Sequence, residues 1–143
     1  MSLRQTIFAG TVVLLIVAVG CGSGGGYNPN NVTVTVTPAS ATVAANGQVT
    51  LHAAVNGFCS TCTPQITWSV TENSVNCTWA DRNTPPAGPC PGGTIQGQDA
   101  GGPLSQDVIY FAPSTTGTFH VFASQLVTLS MNVQGESIVT VGP

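Results

Sequence analysis

VTVTVTPASATVAANGQVTLHAAVNG, residues 32–57, decides the fold. Val32, Val34 and Val36 alternate with Thr33, Thr35 and Thr37 until Pro38 stops the run. Ala41 to Ala44 is a short edge-like piece that ends at the turn signal Asn46-Gly47. Val49, Leu51, Ala53 and Val55 then alternate with Thr50, His52 and Ala54. A period of two places apolar side chains on one face of a strand and polar ones on the other. Working outward, the same period recurs at Ile66, Trp68 and Val70 and at Phe119, Val121 and Ala123. Val108 to Ala112 is a continuous apolar run and reads as a strand buried on both sides. Leu126 to Val133 reads as a further strand or a long hairpin arm, and Ile138 to Val141 as the last strand. No stretch after Asn31 has a 3.6-residue apolar period. Seven or eight short strands separated by Pro, Gly and Asn turns predict an all-β, antiparallel sandwich of about a hundred residues.

Composition fits one such domain. The chain has 143 residues, of which 42% are hydrophobic and 5% charged. Soluble domains carry roughly 25% charged residues, so Thr, Ser, Asn, Gln and Gly must wet this surface. A disordered chain needs high net charge and few β-branched residues, which the formal charge of −3 and the Val-Thr runs do not offer. Nucleic acid is excluded as a partner. A phosphate backbone needs clustered cations, and the basic side chains are Arg4 and Arg82 alone.

Residues 1–20 read as an export signal: Arg4, then the apolar run IFAGTVVLLIVAV from Ile7 to Val19. That run is shorter than the roughly 20 residues needed to span a bilayer. Ala18-Val19-Gly20-Cys21 resembles the lipobox of bacterial lipoproteins. The resemblance implies a diacylglycerol on the Cys21 thiol, cleavage just before it and a membrane partner for the mature chain. Ala18 departs from the usual Leu of that motif, and Gly22, rather than Asp, points to the outer membrane of a two-membrane cell. Residues 21–31 then read as a flexible Gly/Ser linker, leaving 32–143 as the folded domain.

Residues 72–106 have few periodic apolars and many turn formers, and form a long irregular excursion before the Val108 strand. The segments VTVTPASATVAANGQVTLHAAVNG, ITWSV, VIYFAP and GTFHVFAS, in that order, resemble bacterial immunoglobulin-like domains over about residues 32–141. The resemblance implies an immunoglobulin-like sandwich with Trp68 as its core tryptophan. It also implies the roles of that family: stalks, spacers and adhesive modules on bacterial surfaces.

Setting Cys21 aside leaves Cys59, Cys62, Cys77 and Cys90. An even number in an exported chain favours two disulfides. Spacing favours Cys59–Cys62 in a turn and Cys77–Cys90 across the base of the excursion, with a crossed Cys62–Cys77 pairing as the rival. A redox-active Cys59-Ser-Thr-Cys62 is the sharper alternative, but such motifs work at a helix start, and Asn56-Gly57 and Pro64 predict a turn between strands. One CxxC with widely spaced single cysteines matches zinc ligand spacing poorly.

His52 and His120 fall on the polar phase of their strands and would be neighbours if those strands share a sheet. No carboxylate lies near either in sequence, no spaced acid pair suggests glycoside hydrolysis, and no Gly-x-Ser-x-Gly elbow occurs. No cofactor or metal set is legible. Trp79 in the excursion is the candidate ligand contact, since exposed Trp is a common anchor; the bland alternative folds it over the sandwich edge. The expectation is therefore a non-catalytic, lipid-anchored envelope protein with one immunoglobulin-like domain, a structural or adhesion module. The alternatives are a polysaccharide- or protein-binding accessory lipoprotein using the 72–106 loop, and an extracytoplasmic thiol–disulfide protein using Cys59 and Cys62.

Overall fold

The computed structural model describes residues 28–59, 62–73, 77–80, 83–97 and 105–143. The signal segment, Cys21 and the linker as far as Tyr27 lie outside the described residues. After a 3-10 turn at Pro29–Asn31, capped by the Asn28 side chain, come eight strands. They are β1 (Thr33–Thr37), β2 (Ser40–Ala44), β3 (Gln48–Asn56), β4 (Ile66–Val70), β5 (Thr94–Gly97), β6 (Asp107–Phe111), β7 (Gly117–Thr128) and β8 (Met131–Gly142). They form two four-stranded sheets, ordered β1-β3-β6-β5 and β2-β8-β7-β4. That is the four-and-three strand arrangement of an immunoglobulin-like sandwich with one strand added beside β8.

The added strand follows from the Val-Thr repeat and its proline. Val34 and Val36 of β1 are buried and register with Val55 and Ala53 of β3. Past the cis Thr37–Pro38 bond the chain keeps its direction but changes sheet, and β2 lies along β8. β8 runs the same way as β1, so this pair is parallel, while the other five ladders are antiparallel. The Ser137 hydroxyl, fully buried, donates to the Pro38 carbonyl at 2.7 Å, and the Ile138 N–H donates to Ala39 O at 3.0 Å. These two bonds hold the crossing by giving the carbonyls of Pro38 and Ala39 donors from β8.

The inward phases of both sheets make one core. Leu51, Ala53, Val108, Tyr110 and Ile95 face Ile66, Trp68, Val121, Ala123, Val139 and Val141. Trp68 is 2% exposed, and its indole N–H donates to Ser105 O at 2.8 Å. The Tyr110 hydroxyl donates to Gly92 O at 2.7 Å, and burial pushes it above the ordinary phenol range. Among the described residues no buried side-chain polar atom lacks a partner.

The structure changes three strand expectations. β6 is buried on one face only, since Ile109 and Phe111 are half-buried and point outward. The excursion contains a strand, β5, whose registry is supplied by β6. Leu126 to Val133 is the tip of a hairpin joining two twelve-residue strands, with a bulge between Leu126 and Thr128.

The strand directions give the body two poles. Thr33 registers with Asn56, Ile66 with Gln125 and Leu126 with Asn132. The entering chain, the 57–65 connection and the 129–130 turn therefore share one pole. Gly57, at φ 72°, sits so close that a Cβ there would lie 2.4 Å from Asn31 O; only glycine allows this contact. The 45–47 turn, residues 112–116 and the end of β8 share the opposite pole, tied by Ala112 N–H to Gly47 O at 2.8 Å.

Candidate functional site

Cysteine chemistry comes first, because it shapes the excursion. The structure joins Cys59 to Cys62 (Cα–Cα 5.2 Å) and Cys77 to Cys90 (Cα–Cα 5.7 Å). Two disulfides suit an extracytoplasmic location, and among the described residues no helix is long and apolar enough to cross a membrane. Cys59 and Cys62 close a turn in which the Cys62 N–H donates to Cys59 O at 3.1 Å. The next described element after this turn is the strand β4, not a helix.

The second bridge aligns residues 77–79 beside β5. Ile95 N–H donates to Cys77 O at 3.0 Å, and Trp79 N–H donates to Ile95 O at 2.7 Å. A parallel bridge between Thr78 and Ile95 results. The excursion thus covers the β5 edge, whose open hydrogen-bonding groups would otherwise invite pairing with another chain.

This alignment sets Trp79 on the outer face of the β1-β3-β6-β5 sheet. Its ring stacks on Phe111 with centroids 5.7 Å apart and planes 23° apart. Its indole N–H donates to Thr94 Oγ1 at 3.1 Å. Trp79 is half-buried, so it folds over the sandwich and still presents part of the ring to solvent. By register Phe111 lies between Gln48 and Thr94, and Ile109 between Thr50 and Gln96. The result is an aromatic strip flanked by amide and hydroxyl groups. Phe111 was missed because the continuous run 108–112 hides its outward phase.

His52 and His120 lie in different sheets and are not neighbours. Each instead meets a carboxylate across its own sheet. His52 Nδ1 is 2.8 Å from Asp107 Oδ1, and His120 Nδ1 is 2.5 Å from Glu136 Oε1. The Glu136 hydrogen bond raises the His120 pKa above its ordinary value, against a smaller opposing effect of desolvation. Both pairs stand on outer faces, where they act as cross-strand pairs. Among the described residues no three His, Cys, Asp or Glu side chains could hold a metal ion together.

Among the described residues an open cleft lies at either pole. At the entry pole a cleft of about 570 Å³ lies between Phe58, Thr63 and Gln65 on one side and Gln125, Leu126 and Asn132 on the other. At the far pole Pro89, Cys90, Pro91, Pro113, Ser114 and Thr115 line one of about 420 Å³. Neither holds a nucleophile beside a base.

No protein-family model matches the chain, and no curated protein does. Among solved structures it is similar to a nucleoside hydrolase-related hypothetical protein from Saccharophagus degradans, described as associated with carbohydrate metabolism. The identity is 13%, the TM-score is 0.45, and the match covers 78% of this chain. The chain spans 25% of that protein's length.

Proposed function

We propose that this chain is a non-catalytic lipoprotein of the bacterial cell envelope. Acyl groups on Cys21 hold it to the outer membrane, and its sandwich, akin to bacterial immunoglobulin-like domains, serves as a structural or adhesion module. The observation that supports this best is the polarity of the body. The chain enters at one pole, and the Pro-lined cleft beside the Cys77–Cys90 bridge lies at the other. A body tethered at its entry pole projects that far surface away from the lipid. The test follows the exported full chain. Acyl label should enter the protein at Cys21, and Cys21→Ser should move it from the detergent phase to the aqueous phase and reduce adhesion of the cells that carry it. A Cys21→Ser chain that stays in the detergent phase overturns the anchor. Turnover of ester, glycoside or disulfide substrates by the purified chain overturns the non-catalytic reading.

A second reading is favoured by the Trp79–Phe111 stack. A half-exposed aromatic pair flanked by Gln48, Thr94 and Gln96 offers a flat apolar surface with hydrogen-bonding groups at its edges. That combination suits a polysaccharide or an envelope protein. Binding of a polysaccharide through this strip requires that Trp79→Ala lowers affinity by about thirtyfold, the ratio that matches the ~2 kcal/mol lost at a binding hot spot. Unchanged binding by the folded variant removes this reading.

A further inference from the structure

The entry pole carries apolar groups that packing does not explain. Among the described residues three large hydrophobic side chains are exposed, and two of them are at the hairpin tip: Leu129 in the β7–β8 turn and Leu126 just before it on β7. Leu129 is fully exposed and Leu126 is 58% exposed. Val127 and Met131 beside them are only half-buried. The turn chemistry does not require a leucine, since hairpin turns favour Asn, Asp and Gly. The fold uses Asn46-Gly47 for the turn before β3.

The same pole is free of charge over its described residues 28–32, 57–59, 62–65 and 126–133. Asp99 belongs to the 98–104 stretch outside the described residues. The described ion pairs lie further back: His52 with Asp107, where His52 is four residues from the end of β3, and His120 with Glu136, where Glu136 is three residues past Val133, or roughly 10–13 Å along the strands. An uncharged apolar tip lacks the repulsion that an acidic one would meet at an anionic lipid surface.

What covers this tip follows from where the chain enters. The seven Cα steps from Cys21 to Asn28 span at most about 25 Å even when fully extended. The entering segment packs against the 57–65 connection, at the hairpin's own pole. We infer that the Leu126–Met131 hairpin is a second membrane contact, seating Leu126 and Leu129 in the lipid surface that holds the acyl chains of Cys21. This rests on the lipid-anchor reading. The short leash keeps the hairpin at high local concentration near that surface, so a small apolar area suffices to hold it there. The lipid then fixes how the body stands, and the tether no longer sets its orientation alone.

A photo-cross-linking amino acid in the exported full chain tests this. It is placed at 129, at 126 or, as the control, at 115 on the far pole. Leu129 makes no core contact, so its replacement leaves the fold intact. Irradiation of native membranes should give phospholipid adducts at 129 and 126 about tenfold above those at 115, as expected for groups seated about 5–10 Å into the headgroup boundary. Adducts at 129 with a second copy of the chain or with another protein overturn the inference, as does an absence of lipid adducts. The mass of the Cys21 peptide is read in the same sample. An acylated Cys21 without lipid adducts at 129 removes the hairpin contact and leaves the anchor. Lipid adducts at 129 with an unmodified Cys21 remove the anchor and leave the hairpin.

Discussion

Two buried residues at the level of single side chains carry both packing and a hydrogen bond, and their variants separate the two. Trp68→Ala removes a buried indole and leaves Ser105 O without its donor. Truncating a core aromatic costs about 3–5 kcal/mol, which equilibrium urea unfolding should register. Tyr110→Phe keeps the ring and removes only the donor to Gly92 O; a buried carbonyl left unpaired costs about 1–3 kcal/mol. Equal losses for the two variants would contradict this division. At the surface, His120 gains Glu136, and its pKa is raised in the folded state. The contribution of this pair is fully present below the unfolded histidine pKa of about 6.5 and is lost as pH rises through the higher folded value. Glu136→Gln should lower the His120 pKa in an NMR titration and flatten that pH dependence; an unchanged titration would count against the pair. Neither carboxylate partner was legible from neighbouring residues. His52 meets Asp107 55 positions away and His120 meets Glu136 16 away, and only strand register brings them together.

Strands built from Val-Thr alternation were legible as elements because each could be read from its own residues. β1, β3 as far as Ala53, β4 and the middle of β7 carry a two-residue burial period. β5 was not legible, because Thr94-Ile95-Gln96-Gly97 has one large inward side chain and takes its conformation from β6 and from residues 77–79. The β7–β8 turn was hidden by its own hydrophobicity, since Leu126, Val127, Leu129 and Met131 look like strand and no Asn-Gly marks the reversal. The cysteine pairs were favoured but not decided by the sequence, because a crossed Cys62–Cys77 pairing stayed open until the strands placed Cys59 beside Cys62 and Cys77 beside Cys90. A loop of thirteen residues corresponds to about 3 kcal/mol in the chain-entropy model. Cys77→Ser with Cys90→Ser should lower stability by about that amount and speed exchange of the Trp79 amide, which bonds Ile95 O. If that exchange is unaltered, the bridge does not align the excursion. β1 depends on Gly135 of β8 for a close approach: a Cβ there would lie 2.7 Å from Val34 O. Gly135→Ala should therefore loosen β1, seen as faster exchange of amides in residues 33–37 with the β7–β8 ladder protected; uniform protection would show that β1 adapts.

The sandwich as a whole is a rod whose long axis follows β7 and β8. Twelve residues of β8 cover eleven steps, or roughly 36 Å at about 3.3 Å each. Its two ends differ in chemistry. One gathers the entering chain and the exposed leucines; the other gathers prolines and the edge of the disulfide-stapled excursion. Since a single core joins both sheets, the body moves as a unit, and holding one pole determines the height of the other. A tether alone would let the rod tumble and bring the far pole down to the lipid in part of the population. In the proposed arrangement, tether and hairpin together stand it upright. Energy transfer from a donor at Ser114, exposed at the far pole, to acceptors in the bilayer surface should then report a narrow separation near the rod length of roughly 36 Å. Replacing Leu126 and Leu129 together by Ser should broaden that distribution toward shorter distances, with acylation of Cys21 unaltered. A parent protein that already shows the broad distribution would mean the domain hangs freely from its leash, and the far-pole surface would then have no fixed presentation.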